Sequence, residues 1–320
     1  MYDSLTFFKI QPCLEQLTLN SSMLESLKGI KEQRDIETGA IIYTGNLRNL
    51  RVKINHNGIS VTGSLAKFYS GNNVESLTRA TTKEAIEEVS DLLGVDMRDA
   101  QIYSLEFGKT FVMEHSARRY YPFLGSKTRC TRIDYKTGLS YQNGRKSLVI
   151  YDKTAELKSH KEAIPESFAG KNLLRCEIKI KNRLAKQLKR KEILGSDLYD
   201  PKVYCMLIKL LRKEYFSITR VQPLTLSENM LKEIKTVPQL TMILANIGLQ
   251  ELPIEEILAL LKPNLTKQQY LRMKKKLQDV AAMKNPEVEN GYILELDNKI
   301  KAVTLDETAT KTTYLSLANQ

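Results

Sequence analysis

The segment Ser147-Leu148-Val149-Ile150-Tyr151-Asp152-Lys153-Thr154-Ala155-Glu156 sets a phenol at the end of an apolar run, with an ammonium two residues on and a carboxylate five on. Those groups suit attack on a phosphodiester. Side chains alternate along a strand, so Val149, Tyr151 and Lys153 are expected on one face and Leu148, Ile150 and Asp152 on the other. A phenol with a pKa of about 10 is a poor nucleophile at neutral pH unless a cation or a metal favours its phenolate, and Lys153 is the candidate cation. Tyr151 is also one of 15 tyrosines, and by itself the segment reads equally as a core strand.

A second run repeats the alternation. Leu174, Cys176, Ile178 and Ile180 fall on one face, and Arg175, Glu177, Lys179 and Lys181 on the other. One carboxylate in a row of cations fits a charged, solvated sheet face. It equally fits a site where a polyanion meets a divalent metal held by one or two carboxylates and phosphate oxygens. Gln101 to Phe107 brings a further carboxylate, Glu106, out of an apolar run, either as a second ligand or as a solvated strand residue.

In order along the chain, these patterns resemble the rolling-circle replication initiators of the filamentous-phage gene II type. Ser64-Leu65-Ala66-Lys67 followed by Gly71, Asn73 and Val74 looks like that family's Ser-x-Ala-Lys-x-x-x-Gly-x-Asn segment. Tyr103 to Phe107 stands where the family has a strand with an acidic residue, usually Asp and here Glu106. Tyr151, Lys153, Glu156 and Leu157 match its nucleophile strand, and Leu174-Arg175-Cys176-Glu177 its Leu-x-Arg-x-Glu strand. The resemblance covers about residues 45 to 190. A similar Ile-Tyr-Asn-Lys and Arg-x-Glu pair occurs in another class of plasmid rolling-circle initiators.

The resemblance implies a nickase acting at a double-stranded origin and displacing a single strand, with host helicase and polymerase as partners. Tyr151 would be the nucleophile, assisted by Lys153, with Mg²⁺ or Mn²⁺ held by Glu177, Glu106 and Glu156. Lys67, Arg175, Lys179 and Lys181 would contact DNA. A non-catalytic DNA-binding regulator and a plasmid mobilisation relaxase are the alternatives. Many such nickases bind their metal through a His-hydrophobic-His pair, and His56, His115 and His160 never take that spacing. His56 belongs to a His56-Asn57-Gly58 hairpin turn, and His115 and His160 read as exposed.

The chain carries a net charge of +12, with 14 Lys/Arg against five Asp/Glu between residues 170 and 220. Such clustering marks a phosphate-tracking surface, because neutralised phosphates release counterions. Lys186, Lys189, Arg190 and Lys191 are expected on a helix after the Glu177 strand. Cys13, Cys130, Cys176 and Cys205 lie too far apart for a zinc cluster or a disulfide framework. No apolar run approaches twenty residues and no export signal is evident, so a bacterial cytoplasmic protein is expected.

The fold class expected is α+β, an antiparallel nickase sheet over 1–200 followed by a mainly helical DNA-binding region over 201–305 and a mobile tail over 306–320. Strands are expected at 5–10, 50–56, 59–67, 101–107, 138–142, 147–151 and 173–181, with a helix at 83–94 opened by Thr82. Helices at 201–216, 237–247, 253–261 and 266–284 follow, the third with Pro253 in its first turn and the last with a Thr266/Gln269 capping box. A strand pair, Tyr292–Leu296 with Ile300–Thr304, would complete a winged helix whose recognition helix presents Arg272 and Lys275 to DNA.

Overall fold

Alternating apolar residues organise the first part of the chain into an antiparallel sheet. The computed structural model describes residues 2–10, 21–34, 36–37, 39–221, 234–249, 254–281 and 291–303. Its strands are β1 (Tyr2–Ile10), β2 (Lys28–Arg34), β3 (Ile41–Leu47), β4 (Leu50–Asn55), β5 (Gly58–Ser64), β6 (Gln101–Met113), β7 (Leu124–Lys127), β8 (Thr131–Tyr135), β9 (Gly138–Gln142), β10 (Lys146–Asp152), β11 (Asn172–Ile180) and β12 (Ile218–Arg220). Ten of them form one sheet in the order β2-β3-β4-β5-β1-β6-β11-β10-β9-β8, while β7 pairs with β12.

The register of the central strands separates two faces. Leu148 opposes Ile178 and Ile150 opposes Cys176, and all four are buried on the apolar side. On the other side Val149 opposes Glu177, Tyr151 opposes Arg175, and across the next pairing Arg175, Glu177 and Lys179 meet Thr110, Gly108 and Glu106. Strand β1 pairs with β5 and β6, with a register shift between Tyr2 and Leu5. Asp3 lies in that shift, where a bulge re-aims a side chain.

Chain contacts divide the molecule into two units, one of Met1–Arg118, Lys127–Ile218 and Asn298–Gln320, the other of Arg119–Ser126 and Thr219–Asp297. The helix Pro201–Phe216 belongs to the first, although the sequence places it beyond the sheet domain. Asp200 caps it, accepting from the backbone N–H of Lys202 and Val203, and Val203, Leu207, Leu211 and Tyr215 form its buried stripe. Tyr204 meets Tyr2 edge-on at 6.1 Å, and the helix's Glu214 takes an ion pair from Lys127 at 3.0 Å and another from Lys146.

The second unit holds the helices Val237–Gly248, Ile254–Leu261 and Lys267–Ala281. Thr266 and Gln269 cap one another as expected, the Gln269 N–H donating to the Thr266 hydroxyl and the Thr266 N–H to Gln269 Oε1. Tyr292 stacks on Phe123 at 5.6 Å, and Arg220 pairs with Asp297 at 2.9 Å.

The expected wing is absent. Residues Gly291–Lys301 form one helix rather than a hairpin, because Tyr292, Leu296 and Ile300 recur every four residues and the last two are fully buried. Asp297-Asn298, read as a turn, lies inside it.

Other boundaries move for local reasons. The helix over Arg79–Leu93 starts one turn early, at Thr78, which forms a reciprocal capping box with Thr81. Strand β5 stops at Ser64, whose hydroxyl accepts from the Lys67 N–H and opens the helix Leu65–Ser70. The basic helix after β11 shrinks to Leu184–Gln187, with Arg183 and Lys189 in the left-handed region on either side. Strands β2, β3, β7, β8 and β12 are additional to those expected. Cys13, Pro253, Thr304 and the tail from 306 lie outside the described residues.

Gly108 sits directly across from Glu177, and a Cβ there would lie 2.3 Å from the Cys176 carbonyl oxygen and 2.5 Å from Glu177 Cα. Backbone cannot move aside as a flexible side chain does. Gly108→Ala is expected to destabilise the fold by about 1–3 kcal/mol, read as a lower midpoint in urea unfolding; an unchanged midpoint would refute this close approach.

Candidate functional site

Four strands and two short helices bring the polar side chains together. Arg175 stands at the centre, only 2% exposed. Its Nε donates to Glu177 Oε2 at 2.7 Å, Nη2 to Asp3 Oδ2 at 3.1 Å, and Nη1 to the Asn73 carbonyl oxygen at 2.8 Å and Thr110 Oγ1 at 3.1 Å. The Asn73 amide donates to both Asp3 oxygens at 3.1 Å. A buried guanidinium is tolerable only when its donors are satisfied and its charge is balanced, and these contacts do both.

The local sequence explains how the distant pieces arrive. Ser64 caps the helix Leu65–Ser70, and Gly71, left-handed at φ 74°, ends it and turns the chain toward Asn73. The spacing of Ser64, Lys67, Gly71 and Asn73 is thus one cap, one helix and one turn that deliver an amide to Asp3. Burial pushes the Asp3 carboxyl up, but the Arg175 guanidinium and hydrogen bonds from Asn73 and Ser64 outweigh it, leaving its pKa below the ordinary value.

Tyr151 stands beside this network, its hydroxyl donating to Glu177 Oε2 at 3.4 Å. Burial, reinforced by the Glu177 carboxylate, raises its pKa far above that of a free phenol. The expected neighbour Lys153 does not face it. Strand β10 ends at Asp152, which caps the helix Lys153–Ser159, so the alternation that would align Lys153 with Tyr151 stops one residue short. Lys153 is instead fully buried and paired with Glu156 at 2.7 Å. The cation acting on Tyr151 is Arg175.

Glu177 and Glu106 do meet, through Lys179. Its ammonium lies 3.1 Å from Glu177 Oε1 and 3.2 Å from Glu106 Oε2. Burial, with the Glu177 charge, still raises the Glu106 carboxyl above its usual value, the Lys179 ammonium notwithstanding. Arg175 and Lys179 touch these carboxylates directly, and the buried Lys153 adds further positive charge near Asp3. Glu106 and Glu177 bring two carboxylates together on adjacent strands around Lys179, the hard oxygen donors that Mg²⁺ or Mn²⁺ takes. Glu156, paired with Lys153, lines a cavity together with Tyr151. No group of three or more metal-ligating side chains occurs among the described residues.

That cavity, of about 310 Å³, is lined by Tyr151, Glu156, His160, Ser159, Tyr135 and Gly138, among others. Sequence reading missed Asp3, Tyr135 and His160 as neighbours of Tyr151. An acidic residue inside the apolar run Tyr2–Ile10 was the available signal for Asp3; nothing local marked the other two.

The remaining expected DNA contacts divide by exposure. Arg175 is internal and cannot clamp a backbone as expected, because its guanidinium is consumed by the network. Lys67 is paired with Glu162, Lys179 with the two glutamates, and Arg190 with Asp197 at 2.7 Å. Lys181, Lys189 and Lys191 are exposed in the sheet unit, and Arg272 and Lys275 on the helix Lys267–Ala281 of the other. His56, His115 and His160 are exposed. Among described helices, none is long and apolar enough to cross a membrane.

The family model describing the N-terminal part of the phage replication-associated gene II protein matches residues 1–198, a span that contains every side chain of this site. No curated protein matches the chain in direct comparison.

Arg175→Ala leaves Asp3 without its guanidinium and Glu177 with Lys179 alone, and a loss of about 3–5 kcal/mol is expected in denaturant unfolding. Arg175→Met, which restores packing but not charge, should lose as much, and a clearly milder loss would show that packing alone mattered. A second expectation concerns Tyr151. In the chain without divalent ions its phenol stays neutral through the range near pH 10 where ordinary tyrosines ionise. The wild-type minus Tyr151→Phe difference in phenolate absorbance should stay flat there; a step near that pH would contradict the burial.

Proposed function

The chain belongs to the phage gene II family of replication-associated proteins, and we propose that it starts rolling-circle replication by nicking one strand of a double-stranded origin with Tyr151. The observation that supports this reading is the Tyr151 hydroxyl held 3.4 Å from Glu177 Oε2, with Tyr151 lining a cavity and Glu106 joined to Glu177 through Lys179.

Tyr151 Oη attacks the scissile phosphorus, the P–O3′ bond breaks, and the products are a 5′-phosphotyrosyl link and a 3′ hydroxyl that a host polymerase extends. Glu177 Oε2 is the nearest acceptor for the phenol proton, and the leaving 3′ oxygen takes up a proton. Covalent attachment conserves the phosphoester, so the strand can be rejoined by the reverse step. Arg175 fixes Glu177 and tempers its effect on the phenol. Lys153 holds Glu156 in place at the cavity wall. Glu177 and Glu106 would hold Mg²⁺ or Mn²⁺, which when bound neutralises charge on the scissile phosphate and favours the phenolate. Lys179, partly exposed between the two glutamates, is then freed to meet a phosphate oxygen. The exposed Lys181, Lys189 and Lys191 supply backbone contacts near the sheet, and Arg272 and Lys275 supply them from the helical unit.

Incubation with a supercoiled plasmid carrying the chain's own origin, with Mg²⁺, tests this. Tyr151→Phe should retain origin binding but give neither nicked plasmid nor a protein–DNA adduct, a loss of at least ~10³-fold. Glu177→Gln and Glu106→Gln should lower nicking and shift its Mg²⁺ requirement upward. Nicking that persists in Tyr151→Phe, or wild-type protein that binds the origin without ever forming an adduct, would sink the proposal.

A further inference from the structure

The β8–β9 hairpin at the edge of the sheet carries two cavities in succession along one face. The smaller adjoins Tyr151. The larger, about 640 Å³, is lined by Arg129, Cys130, Thr131, Ile133, Gln142, Asn143 and Gly144. Thr131, Ile133 and Tyr135 alternate onto the same face of β8, opposite Gln142, Ser140 and Gly138 of β9, and Gly138 opposes Tyr151 of β10. The two openings therefore share one face of the hairpin, and a strand laid across both would follow a trough whose ends at Thr131 and Tyr135 lie about 13 Å apart.

Its chemistry changes along its length. At the Tyr151 end, Tyr135 is 52% exposed, and Gln142 Nε2 donates to its hydroxyl at 3.5 Å. Gly138, opposite both tyrosines, lets β9 approach β10 closely, since a Cβ there would lie 2.5 Å from Tyr151 Cβ and 2.7 Å from the Ile150 carbonyl oxygen. Leu139 and Val149 add apolar lining, and the sole carboxylate there, Glu156, is occupied by Lys153. At the far end the lining contains the Arg129 guanidinium and amides, and no carboxylate. An aromatic platform beside the proposed nucleophile, continued by a cation-bearing groove, matches an unpaired nucleotide followed by its phosphate backbone.

We propose that the single strand handled at Tyr151 runs along this hairpin, the base next to the scissile phosphate stacking on Tyr135 and the backbone continuing to Arg129. The proposal rests on the reading of Tyr151 as the nucleophile, and adds where the flanking strand lies.

Fluorescence anisotropy of the full chain with a fluorescein-labelled oligothymidylate of about ten nucleotides tests it, alongside a duplex of equal length. Tyr135→Ala should weaken single-strand binding by roughly 5- to 100-fold, and Tyr135→Phe, which keeps the ring, by less than about 2-fold. Arg129→Ala should reduce the slope of log affinity against log salt by about 0.7. Duplex affinity should be unchanged in all three. Unaltered single-strand binding in Tyr135→Ala, an equal loss in Tyr135→Phe, or an equal loss for the duplex would overturn the trough. Failure of the nucleophile assignment shows separately, as nicking by Tyr151→Phe.

Discussion

A guanidinium sealed inside the sheet face is the constraint on which this structure turns. Arg175 cannot be buried with its donors unmet, because an unpaired charge in a low-dielectric interior costs several kcal/mol. Its partners come from the first strand, the loop after a short helix, the long central strand and its own strand. Four separate stretches of chain must therefore be in register before any of them is satisfied. The reward for that cooperation is a fixed Glu177, held from one side by Arg175 and from the other by Lys179.

The same network decides the electrostatics of its surroundings. Tyr151 is protonated because burial and the Glu177 charge outweigh Arg175. Glu106 is raised because burial and Glu177 outweigh Lys179. Both shifts report one condition, the neutral form favoured by burial first and the neighbouring Glu177 charge second. Asp3 escapes it, since Arg175 and the Asn73 amide address it directly. The proposed chemistry needs the opposite condition at the moment of attack, and a divalent cation between Glu106 and Glu177 is the proposed source.

Residue types and alternation made the central strands legible. In β10 and β11 the apolar residues repeat with period two, and in β11 the charged residues between them share the opposite face, where the structure has them. The Asn57-Gly58 turn and the Thr266 cap were equally readable, being local chemistry. Strand β2, Lys28–Arg34, was invisible: it is exposed along its length and is a strand by virtue of its hydrogen bonds to β3. The Gly291–Lys301 segment misled because Asp-Asn-Lys between apolar pairs mimics a hairpin turn, while burial of Leu296 and Ile300 on one stripe favours the helix.

What the sequence determined by itself was which strands carry Tyr151, Glu177, Glu106, Lys179 and Arg175, and the faces on which most of them lie. Only the tertiary structure decided their roles. It turned Lys153 inward by starting a helix after Asp152, drew Arg175 away from solvent toward Asp3, and set Tyr135 beside Tyr151. Periodicity reports which face a side chain takes, since that depends on the backbone of its own strand. Whether a charge on that face meets water, another charge or a phenol depends on residues up to 172 positions away, and no local pattern contains them.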